Sequence, residues 1–355
     1  MSLSAIFTVA VLELRQRVRS TRWRVMLVVW AIVLMLVTGG LSYLAGAYDD
    51  GAGNFAPLLY DLVVCFVLGI GLVVAPTLSA SAINGDRADA TLALLQATAL
   101  RSREIVVGKL VAAWLAVLAF LAIAMPFLVT LMVYGGTSRR ALLAHVIVLV
   151  VTLGAVCAVG LGCSAATARP SSSTVLTYLV VAVLVVGTPL ALAVASPLVR
   201  SEQQQVTYKL DYASSTSQRQ VCLPDPEVTT SQIMHEDRVW WVLAANPFMA
   251  LGDISLRAPG PAAGSTWLSW SPLTVAGVTV NDLRRDEPEQ VVVNPCDPQG
   301  LQVAEAATVA EAEPHLRFWP ATLAVMLVLA LWSTVSASRS LRTPVRRLHR
   351  GTRVA

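Results

Sequence analysis

Few residues of this chain have the type and spacing needed for catalysis. Gly108-Lys109 is the pair closest to a phosphate-binding loop, but Leu110 follows it and position 103, five residues before Gly108, is not glycine. The G-x-x-x-x-G-K-[ST] cradle is therefore missing, and we do not expect this chain to hydrolyse ATP by that route. Without paired carboxylates, a nucleophile triad or a metal-type cluster, we predict no catalytic residue, no metal site and no nucleic-acid partner.

Two ionisable residues lie in or beside apolar runs. Asp61 enters the second run, where a carboxylate is costly and often functional. It follows Tyr60 near the start of that run, at the predicted outer end of span two, so two roles stay open: a solvated or helix-packing role, and a role in a transport pathway. His145 has no second ligand at metal spacing, and we interpret it as structural.

The elements that must position these residues are membrane helices. The chain has 355 residues, 55% of them apolar and 14% charged, which is typical of a polytopic membrane protein. A helix needs roughly 20 apolar residues to cross the hydrocarbon core. Six runs meet that length, near 25–45, 57–80, 110–134, 141–164, 174–196 and 319–338.

The distribution of basic residues predicts the orientation. With the N-terminus inside, the cytosolic pieces hold sixteen basic and four acidic side chains, and the outer pieces hold ten basic and seventeen acidic ones. Arg139-Arg140, in the short outer turn between spans three and four, is the exception. The predicted organisation is an amphipathic interface helix with arginines toward lipid headgroups (1–24), spans one to five (25–196), an extracytoplasmic domain (197–315), span six (316–338) and a basic cytosolic tail (339–355).

The predicted extracytoplasmic domain has a mixed character. Alternation around 206–212 and the β-rich stretch 290–293 predict strands. The segment 239–251 is apolar, aromatic and too short to span, so we expect it to be re-entrant or interfacial. Cys222 and Cys296 are the two cysteines outside the spans, and we predict a disulfide between them because this side of a bacterial membrane is oxidising. The expected fold class is an all-α polytopic membrane protein with six transmembrane helices and a small mixed α/β domain between spans five and six.

Between spans two and three lies a helical hairpin, 81–109. It carries charges at both ends and an apolar stripe at helical spacing. Asp86-Arg87, Thr91-Leu92, Leu95, Glu104-Ile105 and Gly108-Lys109 follow the spacing of a known motif. The hairpin resembles the cytosolic coupling segment of type-2 (ABC-2) ABC-transporter permeases, although Ala90 and Ala99 replace the glycine and proline of that pattern.

The resemblance implies a permease subunit of an ATP-binding-cassette exporter in a bacterial cytoplasmic membrane. Its partners would be two separate ABC ATPase subunits and a second permease, identical or different. ATP and Mg²⁺ would bind the ATPase, with no cofactor on this chain. The implied docking residues are Asp86, Arg87, Thr91, Leu92, Leu95, Glu104 and Lys109. The alternative function is a membrane-anchored sensing or ATP-driven mechanotransmission module that moves no substrate.

Overall fold

A computed structural model describes residues 2–47, 55–88, 101–135, 137–211, 221–257, 271–285, 290–294 and 316–341. Within these ranges, six helices are long and apolar enough to cross a membrane. They cover Thr21–Leu44, Ala56–Ala88, Ser102–Gly135, Arg139–Ala166, Pro170–Leu198 and Trp319–Ser340. The predicted number of spans and the predicted fold class are confirmed, and the protein is a multi-pass membrane protein.

The helices are numbered here in chain order. They are α1 (Leu3–Arg19), α2 (Thr21–Ala47), α3 (Ala56–Ser79), α4 (Asn84–Ala88), α5 (Ser102–Gly135), α6 (Arg139–Ala166), α7 (Pro170–Ala182), α8 (Thr188–Ala195), α9 (Pro247–Leu256), α10 (Pro272–Asp282) and α11 (Trp319–Ser340). A π-helical turn, Val183–Gly187, joins α7 to α8 within span five. Because the spans run back and forth, one end of the bundle carries α1 and α4, which we call the hairpin end.

The opposite end, called here the sheet end, carries three strands. They are β1 (Arg200–Thr207), β2 (Glu227–Met234) and β3 (Gln290–Val293). β1 is central; it pairs antiparallel with β2 and parallel with β3. Strand β3 coincides with the predicted stretch 290–293, whereas β1 overlaps the alternating stretch 206–212 only at Val206–Thr207, and β2 was not predicted.

Segment 239–251 folds as two pieces. Trp240–Ala245 forms a 3-10 helix, and α9 begins at Pro247. The α9 residues Ala250, Leu251 and Ile254 join the same buried apolar core as the spans α3, α5 and α6. The short helix thus packs inside the helical bundle, as a re-entrant segment would.

The sequence interpretation did not include α10, which packs against α9. The two helices touch backbone to backbone at Gly252 and Gly277. A Cβ added to Gly252 would lie 2.6 Å from the Gly277 nitrogen, and one added to Gly277 would come closer still to the Gly252 carbonyl oxygen. Glycine is required at both positions because no side chain fits between the two backbones.

Candidate functional site

The hairpin between spans two and three is fixed to the bundle where it leaves α3. The backbone N–H groups of Ile83 and Asn84 both donate to Ser164 Oγ at 3.1 Å. The Asn84 side chain also donates to Thr167 Oγ1 at 3.1 Å. The start of the hairpin is therefore attached to the end of α6.

Lys109 is the electrostatic centre of this end of the molecule. The residue is 2% exposed, and its ammonium group pairs with Glu13 of α1 and, at 2.6 Å, with Asp86 of α4. A buried ammonium group is tolerated only when carboxylates compensate its lost hydration. Three separate elements, α1, α4 and α5, are consequently joined at one cation.

Glu104 makes a second junction a turn and a half earlier in α5. One carboxylate oxygen accepts from the Ser2 backbone N–H at 2.7 Å, and the other accepts from the Arg101 N–H at 3.0 Å. The second bond satisfies an N–H group that the helix start leaves without an intrahelical partner. Glu104 therefore caps α5 and holds the beginning of α1 beside it.

Helix α1 lies against α5 through a close crossing at Gly108. A Cβ there would lie 2.7 Å from Val9 Cβ and 3.1 Å from the Ile6 carbonyl oxygen. Arg17 was expected to face lipid headgroups, but its guanidinium donates to the Leu78 carbonyl oxygen at 2.9 Å. Burial lowers the pKa of Arg17 from its ordinary value, and Glu13 opposes that shift. Helix α1 is thus part of the bundle and not only a surface helix.

The predicted docking residues divide into two groups. Asp86, Arg87, Glu104 and Lys109 are described, and they lie together at the base of the hairpin. Thr91, Leu92 and Leu95 lie outside the described residues. Glu104 and Lys109 are buried in contacts within the chain, so the structure gives them a positioning role. Docking of an ATPase stays a prediction for all seven.

A comparison of the sequence with protein families identifies the family of this chain. The sequence profile of the ABC-2 family transporter proteins matches residues 7–269, about three quarters of the chain. The chain belongs to the ABC-2 transporter family. Among characterised proteins, no sequence matches the chain significantly.

Membership makes this protein a permease of an ABC transporter and implies association with ABC ATPase subunits. The match covers α1, the hairpin, spans one to five and α9, so it includes every element joined at Lys109. The resemblance inferred from the hairpin motif is therefore confirmed.

The permease has a buried polar cluster at the sheet end. Asp61, in the first turns of α3, is 7% exposed. Its carboxylate accepts from Ser255 Oγ of α9 at 2.9 Å and from the hydroxyl of Ser271, which precedes α10. Asp61 is buried rather than solvated, and its bonds tie α3 to the α9–α10 pair. This arrangement agrees with the helix-packing role, and a pathway role stays a prediction.

His145 completes this cluster. It is fully buried, and its Nε2 lies 3.2 Å from the Leu251 carbonyl oxygen, which can only accept. The proton of a neutral ring is therefore on Nε2, and Nδ1 accepts from the Tyr60 hydroxyl at 2.9 Å. The ring links α3, α6 and α9, consistent with a structural role.

Sequence reasoning missed Asn246, which joins the permease's span five to α9. Its Oδ1 accepts from the Phe248 N–H at 3.0 Å and caps α9. Its Nδ2 donates to the Val185 carbonyl oxygen at 3.0 Å. That carbonyl is four residues before Pro189, which has no N–H to offer it. Asn246 supplies the donor that the proline lacks, and the signal for this role is the Asn-Pro helix start.

We expect Asn246→Ala to lower the free energy of unfolding by about 2 kcal/mol, because a helix cap and a donor to a buried carbonyl are both lost. The same change should cost about 1 kcal/mol less in a Pro189→Ala background, where residue 189 can donate to Val185. Chemical unfolding of the four proteins in detergent would measure the cycle. Equal costs in both backgrounds would show that Asn246 does not compensate for the proline.

The predicted Cys222–Cys296 disulfide is only half described. Cys222 Sγ lies 3.6 Å from Asn294 Oδ1, just after β3. Cys296 follows two residues later and lies outside the described residues. The disulfide stays a prediction.

Proposed function

We propose that this chain is the permease subunit of an ATP-binding-cassette exporter in a bacterial cytoplasmic membrane. It pairs with a second permease, and two separate ATPase chains dock on the hairpin 81–109 from the cytosol. ATP and Mg²⁺ bind those ATPase chains. Both termini face the cytosol, and the sheet end faces outward, as the distribution of basic residues predicts.

The observation that carries this proposal is the Lys109 junction. Lys109 is two turns into α5, Asp86 is in α4 at the other side of the hairpin, and Glu13 is in α1. A force applied between α4 and α5 acts on helices that Lys109 holds together. The hairpin therefore moves with α1, with the end of span two and with the start of span three as one body.

The buried Asp61 cluster connects that motion to the sheet end of the bundle. Helix α3 runs from Asp61 at the sheet end to Ser79 at the hairpin end. A shift of α3 displaces Asp61, and its bonds to Ser255 and Ser271 carry the shift to the α9–α10 pair. In this mechanism ATPase closure moves the re-entrant pair and opens the pathway on the outer side.

The experiment that tests the proposal is a pull-down of the tagged chain in mild detergent from its native host, with mass identification of its partners. We expect a stoichiometric ATPase chain with Walker motifs. A second, different permease in the complex would show a heterodimer, whereas its absence with two copies of this chain would show a homodimer. Failure to recover any ATPase, even after crosslinking at Arg87, would contradict the coupling role.

Alanine changes at Leu92 and Leu95 test the docking surface. We expect each change to weaken ATPase binding about ten-fold, because truncating an apolar anchor at an interface centre removes more than 1 kcal/mol. Stimulation of ATP hydrolysis by the permease would fall with it. Leu198→Ala and Leu223→Ala are matched controls, since both leucines are exposed at the sheet end. An equal loss of ATPase binding in the two control variants would contradict a specific docking surface at Leu92 and Leu95.

A second candidate function is ATP-driven transmission of motion to the outer domain without movement of a substrate. The observation in its favour is the short connection from span five into the sheet: Ser196–Leu198 forms one 3-10 turn, and β1 begins at Arg200. Spin labels on Glu202 and on Arg169 would test it in the assembled complex. An ATP-dependent change in their distance supports transmission, and an unchanged distance contradicts it.

A further inference from the structure

A cavity of about 620 Å³ opens at the sheet end, beside the α9–α10 pair. Three elements line it: the start of α6, the end of α9 and the residues at the start of α11. Its lining residues are Ser138, Arg139, Arg140, Ala141, Ala144, Asp253, Ile254, Arg257, Arg317 and Trp319. The volume lies within the range of small-molecule sites, roughly 300–1,000 Å³.

The charge around this cavity is strongly positive. Asp253 is its single acidic lining residue, and both of its oxygens are occupied: one accepts from Arg257 Nε at 2.8 Å, the other from the Phe318 and Trp319 N–H groups at 2.8 and 3.2 Å. Within the described part of the chain, no carboxylate pairs with Arg139, Arg140 or Arg317. Three guanidinium groups are left at the rim.

The floor of the cavity is apolar. Its apolar lining residues are buried (Ala141, Ile254) or half-buried (Ala144, Trp319), whereas Arg139, Arg140 and Arg317 are exposed at its rim. A cationic rim over an apolar floor is complementary to an amphiphile with an oxyanion head, because guanidinium groups bind phosphate oxygens in pairs.

We propose that this cavity binds the phosphate group of an amphiphilic ligand, with Arg139, Arg140 and Arg317 as its anion-binding residues. The ligand's apolar part lies along Ile254 and Trp319. Either a phospholipid of the surrounding leaflet or a soluble phosphate compound supplies this chemistry. The site is independent of the ATPase partnership, since none of its residues belongs to the hairpin end.

The test uses the full-length chain in phosphatidylcholine nanodiscs titrated with phosphatidylglycerol, with bound lipid counted by native mass spectrometry. We expect one retained phosphatidylglycerol per chain. Arg139→Gln with Arg140→Gln should weaken its retention about thirty-fold, at about five-fold for each guanidinium lost near the membrane surface. Arg317→Gln should weaken it independently of those two.

Arg169→Gln is the matched control, since Arg169 is exposed at the hairpin end and should leave retention unchanged. A parallel titration with inorganic phosphate identifies the source. Binding of phosphate that needs the same arginines, with no selective lipid retention, would support the anion site and assign it to a soluble ligand. Lipid and phosphate binding that are the same in the wild type and the arginine variants would overturn the proposal. Unchanged unfolding midpoints of the variants exclude misfolding as the cause of a loss.

Discussion

Replacing Lys109 with Met should lower the free energy of unfolding by about 3 kcal/mol. The change leaves Glu13 and Asp86, whose side chains are each 23% exposed, facing each other without a cation, and an ion pair that loses one partner in a partly buried place is destabilising. The same change should detach the hairpin from α1. Because the hairpin is the proposed docking site, stimulation of the partner ATPase should fall as well. Chemical unfolding in detergent and ATPase assays of the assembled complex would measure the two effects.

The matched control is the chain's other lysine. Lys209 pairs with Glu227 on the sheet, where the two side chains are 62% and 56% exposed. Lys209→Met should cost less than about 1 kcal/mol, because exposed pairs contribute little. Adding Glu13→Gln and Asp86→Asn to Lys109→Met should recover part of the loss. If Lys109→Met unfolds like the wild type, the three-element junction does not hold the hairpin.

Gly277→Ala should destabilise the permease by about 3 kcal/mol, at the upper end of the usual cost of overpacking. The added methyl group would meet the Gly252 carbonyl, and no side-chain rotation can relieve a contact with backbone. Helices α9 and α10 must then separate, which strains the bonds from Ser255 and Ser271 to Asp61. The unfolding midpoint in detergent measures the cost, and limited proteolysis of 247–285 measures the loosening.

Gly69→Ala provides the control for this substitution. Gly69 lies within span two, and an added Cβ there meets nothing within 4 Å, so we expect no loss of stability. Gly252→Ala should lower the free energy of unfolding about as much as Gly277→Ala. The double variant should lose less than the sum of the two single losses, because both substitutions disrupt the same backbone contact between α9 and α10. Additive costs would mean that the two glycines act separately.

The sequence predicted those features that depend on local pattern. Span number follows from hydropathy, since each run near 20 apolar residues must bury its backbone polar groups in a helix. The hairpin motif led to the correct family because its residues are close together in the chain. Strand β3 was indicated by its β-branched residues, whereas the alternating stretch marked only the last two residues of β1.

The contacts that complete the site join residues far apart in the chain, which a local pattern does not reveal. Asp61 is bonded to Ser255 and Ser271, about two hundred positions later. Helix α10 was missed although Ser271-Pro272 has the same form as Asn246-Pro247, a polar residue followed by proline at a helix start. Glu13, the single acidic residue among the arginines of α1, was a usable signal for the Lys109 partner.

Helix α5 is much longer than the hydrocarbon core is thick. Its 34 residues extend about 51 Å, whereas the core measures roughly 30 Å. About 20 Å of helix therefore extends beyond the apolar slab, and the helix begins at Ser102, within the hairpin 81–109. A rigid helix that extends beyond the bilayer converts a sideways displacement of its end into a tilt of the span. Rotating it by about 10° around the middle of the bilayer would carry its tip sideways by several ångströms. If the ATPase docks on the hairpin as proposed, a displacement of several ångströms there is enough to tilt span three as a whole.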